Sequence, residues 1–289
     1  MVEIRTLDTA SFQDGLRAWN DGFEGYSQAV AMSLSGWLAH IAHEGLDPEL
    51  SLIAYDGERP VGCVLSGMRE GHAGKVAYNG GTGVAKDYRG KGVGRQLIDA
   101  ALDLYRRHGA AVATLEVITT NEPALALYRS SGYEITDRLS VLSLEGPVES
   151  AGDDSTYVLS EADPQTLEGV PFYRGSAPWQ CQWQSLRDGR VLCAKAPDGA
   201  LLGYALVRRT WPAGRARPAV GLYQMGFNPE LSDTGPAARF LAESAFREAG
   251  RCYAMNIPAS DPLTLAVLQD LGLREQVAQF EMRLSLRSD

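Results

Sequence analysis

One run of the chain combines three alternate glycines with basic residues, and it reads Val84-Ala-Lys-Asp-Tyr-Arg89-Gly90-Lys91-Gly92-Val93-Gly94-Arg95. The glycines allow a tight turn whose backbone amides are not covered by side chains. If this turn opens a helix, its N–H groups lack intrahelical acceptors and the positive end of the helix dipole faces outward. That arrangement binds phosphate. We therefore predict a phosphate-binding cradle at residues 89–95, with Arg89, Lys91 and Arg95 adding positive charge.

The segments on both sides of the cradle are predicted from side-chain periodicity. Residues 76–84 carry β-branched and aromatic side chains at even spacing, which is typical of a strand. Residues 96–107 repeat apolar side chains at helical spacing. Gly80 and Gly81 interrupt the strand, which indicates a β-bulge or the close approach of a ligand. The cradle thus connects a strand to the N-terminus of a helix.

The sequence of the cradle differs from two other phosphate-binding loops. A Walker loop needs Ser or Thr after Gly-Lys, but Lys91 is followed by Gly92. The dinucleotide fingerprint G-x-G-x-x-G is one residue longer than Gly90-x-Gly92-x-Gly94. However, Glu116 lies about 20 residues downstream, where an acid would bind a ribose. A nicotinamide dinucleotide site therefore stays open as an alternative, as does a surface loop that merely turns the chain.

A second motif follows the cradle, with T-L-E-V-I at residues 114–118, N-E-P-A-L-A-L-Y at residues 121–128 and a glycine at residue 132. A strand is predicted to end near Ile118, and Asn121 and Pro123 suit the start of a helix that Gly132 ends. Together, the two motifs resemble the GNAT superfamily of acetyl-CoA-dependent N-acetyltransferases, over roughly residues 1–145.

The resemblance assigns a role to individual residues. Acetyl-CoA would bind to the cradle and to the end of the preceding strand, at Val84, Ala85, Arg89, Gly90, Lys91, Gly92, Val93, Gly94 and Arg95. The backbone N–H near Val84 would polarise the thioester carbonyl, and Asn121 would hydrogen-bond the pantetheine arm or its surroundings. Tyr128 matches the family's general acid, which protonates the departing thiolate. Its alternative role is that of a core tyrosine under the helix.

The base and the acceptor site are open to several interpretations. Glu116 could deprotonate the acceptor ammonium, or it could hydrogen-bond a backbone amide without taking part in chemistry. Glu24 and a water chain are alternative bases. The loop at residues 22–27 joins two predicted helices, at residues 11–22 and 33–44, and is the candidate acceptor site in GNAT-like folds. Its candidate contact residues are Phe23, Glu24 and Tyr26, although the two aromatic rings could equally fill the core.

The activity that the resemblance implies is the transfer of acetyl from acetyl-CoA to a primary amine, by direct attack in a ternary complex. A small-molecule amine is the expected acceptor. A non-catalytic acyl-CoA-binding or sensor protein that uses the same cradle is the alternative.

Composition limits the partners and the compartment. The net charge of −9 argues against a nucleic acid partner. A membrane span is not expected because no run of about 18 apolar residues occurs, and the acid in the first residues argues against a signal peptide. The cysteines lack C-x-x-C spacing, so we expect reduced core residues of a cytoplasmic protein. No metal is expected, His40 and His43 are placed on a solvated helix, and the chain is expected to be a monomer or homodimer.

The second half of the chain repeats the first. The pair Asp198-Gly199…Gly203 matches Asp56-Gly57…Gly62, and Asp261…Gly272 matches Asn121…Gly132, at an offset of about 140 residues in both cases. The copy lacks basic residues at residues 232–237, and Leu268 replaces the tyrosine. We therefore predict two tandem α/β domains, each with a mixed, mainly antiparallel sheet flanked by helices. The catalytic domain is residues 1–146, the linker 147–156, and the degenerate copy 157–289.

Overall fold

The computed structural model describes residues 2–25, 31–71, 74–148, 156–212 and 214–287. The chain forms two compact units. Unit 1 contains Met1–Thr136 and Glu281–Asp289, and unit 2 contains Asp137–Phe280. Each unit has a sheet flanked by helices, as predicted.

Unit 1 is built on a mixed sheet. Its strands are β1 (Glu3–Thr6), β2 (Leu52–Asp56), β3 (Arg59–Gly71), β4 (Gly74–Val84) and β5 (Ala110–Ile118), adjacent in that order. The first four pair antiparallel, and β4 pairs parallel with β5. The hairpin between β2 and β3 turns at Gly57 and Glu58, and the φ of +61° at Gly57 favours glycine.

Four helices flank this sheet, and they are α1 (Phe12–Gly22), α2 (Leu34–Glu44), α3 (Val93–Arg107) and α4 (Glu122–Ser130). The helix α2 buries only a narrow apolar stripe. Trp37 and Ile41 are buried, but the Leu38 side chain is 39% exposed. Helical periodicity alone does not fix how wide the buried stripe is, and Leu38 lies outside it.

Unit 2 contains strands β6 (Glu134–Glu145), β7 (Val158–Ala162), β8 (Arg190–Lys195), β9 (Leu201–Thr210), β10 (Ala219–Phe227) and β11 (Arg251–Pro258), and helices α5 (Gly235–Phe246) and α6 (Pro262–Asp270). Their order is β7-β8-β9-β10-β11-β6. Among the strand pairs recorded for the described residues of unit 2, only β10 and β11 pair parallel. The strand β12 (Arg274–Ser285) follows.

Unit 2 is continuous in sequence, whereas unit 1 also includes the C-terminal residues. Residues 137–145 of β6 belong to unit 2 and pair there with β11. Residues 281–289 belong to unit 1, where the Leu286 N–H donates to the Ala111 carbonyl at 2.9 Å. The division at residue 146 stays a prediction, and most of the expected linker lies outside the described residues.

The internal repeat is visible in the last helix of each unit. Asn121 accepts a hydrogen bond from the Ala124 N–H at 3.3 Å, and Asp261 accepts one from the Thr264 N–H at 3.2 Å. Gly132 and Gly272 follow the two helices, each with a φ of +93°. Both halves therefore use one capping scheme, which confirms the tandem fold.

The cysteine and membrane predictions concern the core and the helices. Cys63, Cys181, Cys193 and Cys252 are all free and buried, which confirms that they are core residues. In the described parts of the chain, no three His, Cys, Asp or Glu residues form a potential metal site. No helix there is long and apolar enough to cross a membrane.

Candidate active site

The strands β4 and β5 separate before either of them ends. Their parallel ladder runs from Lys75–Ala110 to Asn79–Leu115. Beyond that pair β4 continues to Val84 and β5 to Ile118 without recorded pairing between these described stretches. The parted ends leave a gap in the sheet of unit 1, and its walls carry backbone groups that the ladder does not use.

A β-bulge at Gly80 produces this separation. The register of β4 against β3 shifts between Leu65 and Ser66, so that Gly80 is the extra residue. The Asn79 side chain holds the bulge, because its Oδ1 accepts from the Gly81 N–H at 3.1 Å. A Cβ at Gly80 would lie 2.8 Å from the Leu46 side chain. The bulge predicted at the paired glycines is therefore confirmed.

The backbone of Val84 faces the gap. The Ala85 N–H donates to the Val61 carbonyl at 2.9 Å, and in the same register Val84 lies opposite Gly62. Bonded and non-bonded pairs alternate in an antiparallel ladder, so the Val84 N–H and C=O point away from β3. Thr82 has the same orientation. Sequence reasoning missed Thr82, because the register depends on the bulge.

The cradle connects β4 to α3 as the sequence predicted. Gly90 and Gly92 have φ values of +73° and +82°, which strongly favour glycine. The first helical bond of α3 runs from the Gln96 N–H to the Gly92 carbonyl at 3.1 Å. The amides of residues 93–95 therefore have no acceptor within the helix. A Cβ at Gly90 would meet no described atom within 4 Å, so the approach to these amides is sterically open.

Arg89 binds protein carbonyls. Its Nε donates to the Val84 carbonyl at 3.0 Å. Its Nη2 donates to the Gly22 carbonyl at 3.0 Å and to the Glu24 carbonyl at 2.9 Å. The guanidinium thus connects the end of α1 to the end of β4. Its predicted contact with the cofactor stays a prediction, and the observed contacts fix the chain at the end of α1.

The other two basic residues of the cradle also have protein contacts. Arg95 donates to Asp99 at 3.0 Å and to the Ser130 hydroxyl at 2.9 Å, which connects α3 to α4. The Lys91 ammonium lies 5.2 Å from the centroid of the Tyr88 ring. This cation–π contact is weak at an exposed position, so Lys91 keeps the most freedom of the three to meet an anion.

Tyr128 lies in a cluster of buried phenols. Its side chain is 6% exposed, and its ring packs edge-on against Tyr133 with centroids 5.9 Å apart. The Tyr105 hydroxyl forms a hydrogen bond of 2.6 Å with the Ser66 hydroxyl. Burial raises the pKa of Tyr105 and the pKa of Tyr133, because a phenolate would lose its hydration there. Tyr105 and Tyr133 therefore stay protonated.

Glu116 is the first β5 residue after the last pair with β4. It is half-buried, and its Oε2 accepts a hydrogen bond of 2.6 Å from the Tyr78 hydroxyl. Burial, followed by the charges of Glu116 and Glu44, raises the pKa of Tyr78 well above its ordinary value. The hydroxyl of Tyr78 is therefore a permanent donor to the Glu116 carboxylate. Sequence periodicity could not identify this partner, because it depends on the pairing of two strands.

The end of α1 lies directly on β4. A Cβ on Gly22 would come within 2.8 Å of the Gly83 backbone, so the two chains approach as closely as glycines allow. Phe23 packs on Trp19 with ring centroids 4.3 Å apart, and a Cβ on Gly83 would lie 3.2 Å from the Phe23 ring. Phe23 is half-buried beside the last residues of β4, Glu24 is exposed, and the predicted Tyr26 lies outside the described residues.

The expectation of a solvated helix at His40 is wrong. Its ring lies 5.4 Å from Trp19, and its Nε2 is buried with no partner among the described residues. Burial lowers the pKa of His40, followed in effect by the charge of His43. The helix packs against α1 on this side, which a count of histidines could not reveal.

The two parallel strands of unit 2 also separate, but residues of unit 2 itself occupy the space between them. The ladder between β10 and β11 ends at Leu222–Ala254. The Cys181 thiol donates to the Met255 carbonyl at 3.1 Å. The Gln224 side-chain amide donates to the Cys181 carbonyl at 2.9 Å. In unit 2, Cys181 thus occupies a β11 backbone group at the position where unit 1 is open to a ligand.

The helix start of unit 2 is also closed. The Asp233 side chain accepts from the Gly235 N–H at 2.9 Å, so a carboxylate stands where unit 1 has open amides. Pro236 has no N–H to offer. Leu268, at the position of Tyr128, is fully buried. These contacts agree with the predicted loss of chemistry in the second copy.

Sequence and structure comparisons agree on one family. Residues 12–133 match the model of the Acetyltransferase (GNAT) family. An acetyltransferase of Yersinia pestis is 31% identical over 147 residues, which are 48% of this chain and 92% of that protein. N-alpha-acetyltransferase 30 of Schizosaccharomyces pombe is 33% identical over 101 residues, 34% of this chain and 67% of that protein. These alignments cover at most about half of the chain.

Solved structures extend the likeness of fold to the whole length. A tandem GNAT protein from the clavulanic acid biosynthesis pathway has a TM-score of 0.65 at 16% identity, covering 100% of both chains. A GCN5-related N-acetyltransferase from Sphaerobacter thermophilus has a TM-score of 0.68 at 17% identity, covering 99% of this chain and 96% of that one. The chain is therefore an acyltransferase and belongs to the GNAT superfamily of acetyltransferases, which use acetyl-CoA.

Proposed function

We propose that unit 1 transfers the acetyl group of acetyl-CoA to the primary amine of a small molecule, by direct attack in a ternary complex. The observation that carries this proposal is the continuity of two binding features within residues 82–95. The strand end offers outward backbone groups to the gap, and the next turn offers the open amides of the cradle.

The residues present fit acetyl-CoA. Gly90, Gly92, Val93, Gly94 and Arg95 would hold the pyrophosphate, because these glycines leave the amides uncovered and the N–H groups of residues 93–95 lack helical acceptors. Thr82 and Val84 would hydrogen-bond the pantetheine arm and the carbonyl. Ala85 and Lys91 would line the same site. Bound acetyl-CoA supplies an acyl group activated as a thioester.

Asn121 would act indirectly in this arrangement. Its side-chain oxygen accepts from the Ala124 N–H and so fixes the start of α4. That helix carries Tyr128 two turns further on. We infer that Asn121 fixes the wall of the binding site and the position of the phenol, and its contact with the pantetheine arm stays a prediction.

In the proposed reaction, one residue accepts a proton and another donates one. The Val84 N–H would donate to the thioester oxygen as negative charge develops there, which is the effect of an oxyanion hole. A carbon–nitrogen bond would form between the neutral amine and the acetyl carbon, and the carbon–sulfur bond would break. Glu116 would receive the proton that the attacking neutral amine loses, and Tyr128 Oη would deliver a proton to the departing sulfur.

The test is an amine-library assay with thiol release as the readout and the mass of the acetylated amine as confirmation. We expect at least one class of small primary amine to stimulate thiol release and to become acetylated. Tight binding of acetyl-CoA with no acetylated amine across the library would refute it.

A peptide α-amine is the second candidate acceptor. It is suggested by the likeness to N-alpha-acetyltransferase 30 of Schizosaccharomyces pombe, at 33% identity over 101 residues. Short peptides with free and blocked N-termini belong in the same library. Acetylation of free N-termini in preference to small amines would favour this candidate.

A further inference from the structure

Unit 2 has a cavity whose lining residues are separate from those proposed for acetyl transfer. Its volume is about 460 Å³, and it is lined by Asp163, Pro164, Gln165, Trp183 and Arg187. All five residues belong to unit 2. Sites for small molecules typically have volumes of roughly 300–1,000 Å³. The cavity is therefore large enough to hold a ligand of its own.

The cavity is formed by the segment that differs most between the two copies. In unit 1, the helices α1 and α2 lie between the first two strands, β1 and β2. In unit 2, the corresponding strands β7 and β8 are connected through short 3₁₀ helices at Pro164–Gly169, Trp179–Cys181 and Trp183–Ser185. Two of these helices begin with residues that line the cavity. The internal repeat therefore does not account for this part of unit 2.

The walls of the cavity are held by contacts within unit 2. The Trp183 N–H donates to the Tyr173 hydroxyl at 3.2 Å, and the Trp183 carbonyl accepts from the Leu186 N–H at 2.9 Å. The Trp183 side chain is half-buried and packs against a hydrophobic cluster of unit 2. On the opposite side, Asp163 Oδ1 lies 3.4 Å from Arg190 Nη1. The cavity is thus formed before any ligand arrives, as is usual for binding sites.

The charge at the cavity is positive. Asp163 is paired with Arg190, and Asp188 is paired with Arg208 at 2.8 Å. Arg187 is exposed and has no recorded ion pair or side-chain hydrogen bond with the described residues. When Asp163 and Arg190 are counted as a neutral pair, Arg187 leaves one net positive charge. This charge favours an anionic ligand.

We propose that this cavity binds a small aromatic carboxylate, whose ring stacks on Trp183 and whose carboxylate pairs with Arg187. A guanidinium presents its N–H donors in a planar fork that matches the two oxygens of a carboxylate. The flat indole ring of Trp183 offers an apolar face to a second planar ring. The Gln165 side chain supplies one donor group and one acceptor for a polar substituent on that ring. Such binding is a function of unit 2 beyond the acetyl transfer proposed for unit 1.

The experiment titrates the intact chain with three probes. Benzoate has the ring and the charge, benzamide has the ring without the charge, and cyclohexanecarboxylate has the charge without the aromatic ring. The readout is the NMR signal of the Trp183 indole N–H, identified by its loss in Trp183→Phe. We expect benzoate to shift this signal and to bind about 5-fold more tightly than either of the other probes.

Arg187→Gln tests the pairing with the carboxylate. The variant removes the charge, keeps a polar side chain and lies at an exposed position, so the fold should be unaffected. It should weaken the binding of benzoate about 5-fold and leave the binding of benzamide unchanged. The matched control is Arg215→Gln, because Arg215 is an exposed arginine of unit 2 that does not line the cavity. The control should bind benzoate like wild type.

A further control separates the cavity from the cradle of unit 1. Gly92→Asp places a carboxylate in the cradle, and it should bind benzoate like wild type if benzoate occupies unit 2. The line width of the benzoate signal itself gives the affinity in every protein, so the comparison does not depend on the folding of Trp183→Phe.

Four results would overturn the site. They are an unmoved Trp183 signal at the highest soluble benzoate concentration, equal affinities for benzoate and benzamide, equal losses in Arg187→Gln and Arg215→Gln, and loss of benzoate binding in Gly92→Asp. The last result would assign the probe to the cradle. None of them depends on whether unit 1 acetylates an amine, so the outcome is independent of the proposed function.

Discussion

Gly92→Asp tests whether the open amides of the cradle bind phosphate. Gly92 is the residue that precedes α3, with a φ of +82° and a ψ of 0°. A Cβ there would have Gln96 Nε2 as its nearest neighbour at 4.0 Å, so the side chain has room. Asparagine and aspartate tolerate this left-handed backbone better than other residues with side chains. The change should therefore leave the fold intact while placing a carboxylate among the amides.

The expected loss of affinity is electrostatic. A carboxylate within about 6 Å of one phosphate charge, at an effective dielectric constant of about 20, costs roughly 3 kcal/mol. This corresponds to about 100-fold weaker binding of CoA. The backbone strain costs about 1–2 kcal/mol, which should lower Tm by only a few degrees in a chain of this size.

The assay is calorimetric titration with desulfo-CoA, which keeps the phosphates, and with pantetheine, which lacks them. Gly92→Asn is the matched control, since it has the same shape and backbone strain without the charge. We expect Gly92→Asp to weaken the binding of desulfo-CoA far more than Gly92→Asn does. The affinity for pantetheine should be nearly unchanged in both variants. A folded Gly92→Asp protein that binds desulfo-CoA like wild type would refute the phosphate cradle.

Three further outcomes follow from the same site. Tyr128→Phe should lower kcat by about 10–10⁴-fold with CoA affinity little changed; an unchanged kcat at saturating amine would defeat the assignment of the general acid. Calorimetry of the intact chain should give one CoA site, because Asp233 and Cys181 occupy the corresponding groups of unit 2; two sites of similar affinity would contradict that view. Arg89→Ala should raise KM for the amine more than for acetyl-CoA and lower Tm by a few degrees, since Arg89 binds the Gly22 and Glu24 carbonyls; equal effects on both KM values would count against a role in the acceptor loop.

The cradle and the helix caps were predictable from sequence because they depend on local chemistry. Gly90 and Gly92 need positive φ, and Asn121 caps the helix that begins one residue later. Such features are set by a few neighbouring residues. The same holds for the repeat, since Asp261 reproduces the cap of Asn121.

The features that sequence reasoning missed depend on distant pairing. Arg89 donates to carbonyls more than sixty residues earlier in the chain, and these contacts were not expected. Tyr78 finds Glu116 only through the parallel register of two strands. His40 is half-buried, with its Nε2 buried, and α1 supplies the Trp19 ring beside it. Side-chain periodicity predicts which face of a helix or strand is buried, but not which element packs against it. These contacts can therefore be read only from the structure.

The central claim is that the gap and cradle of unit 1 carry out amine-dependent acetyl transfer. The most direct measurement is thiol release together with the mass of the product, for wild type and Gly92→Asp at equal acetyl-CoA. We expect one acetylated amine per thiol released by wild type, and a loss of activity in Gly92→Asp that rising acetyl-CoA restores. Thiol release without an acetylated amine, or a Gly92→Asp protein as active as wild type at low acetyl-CoA, would contradict it.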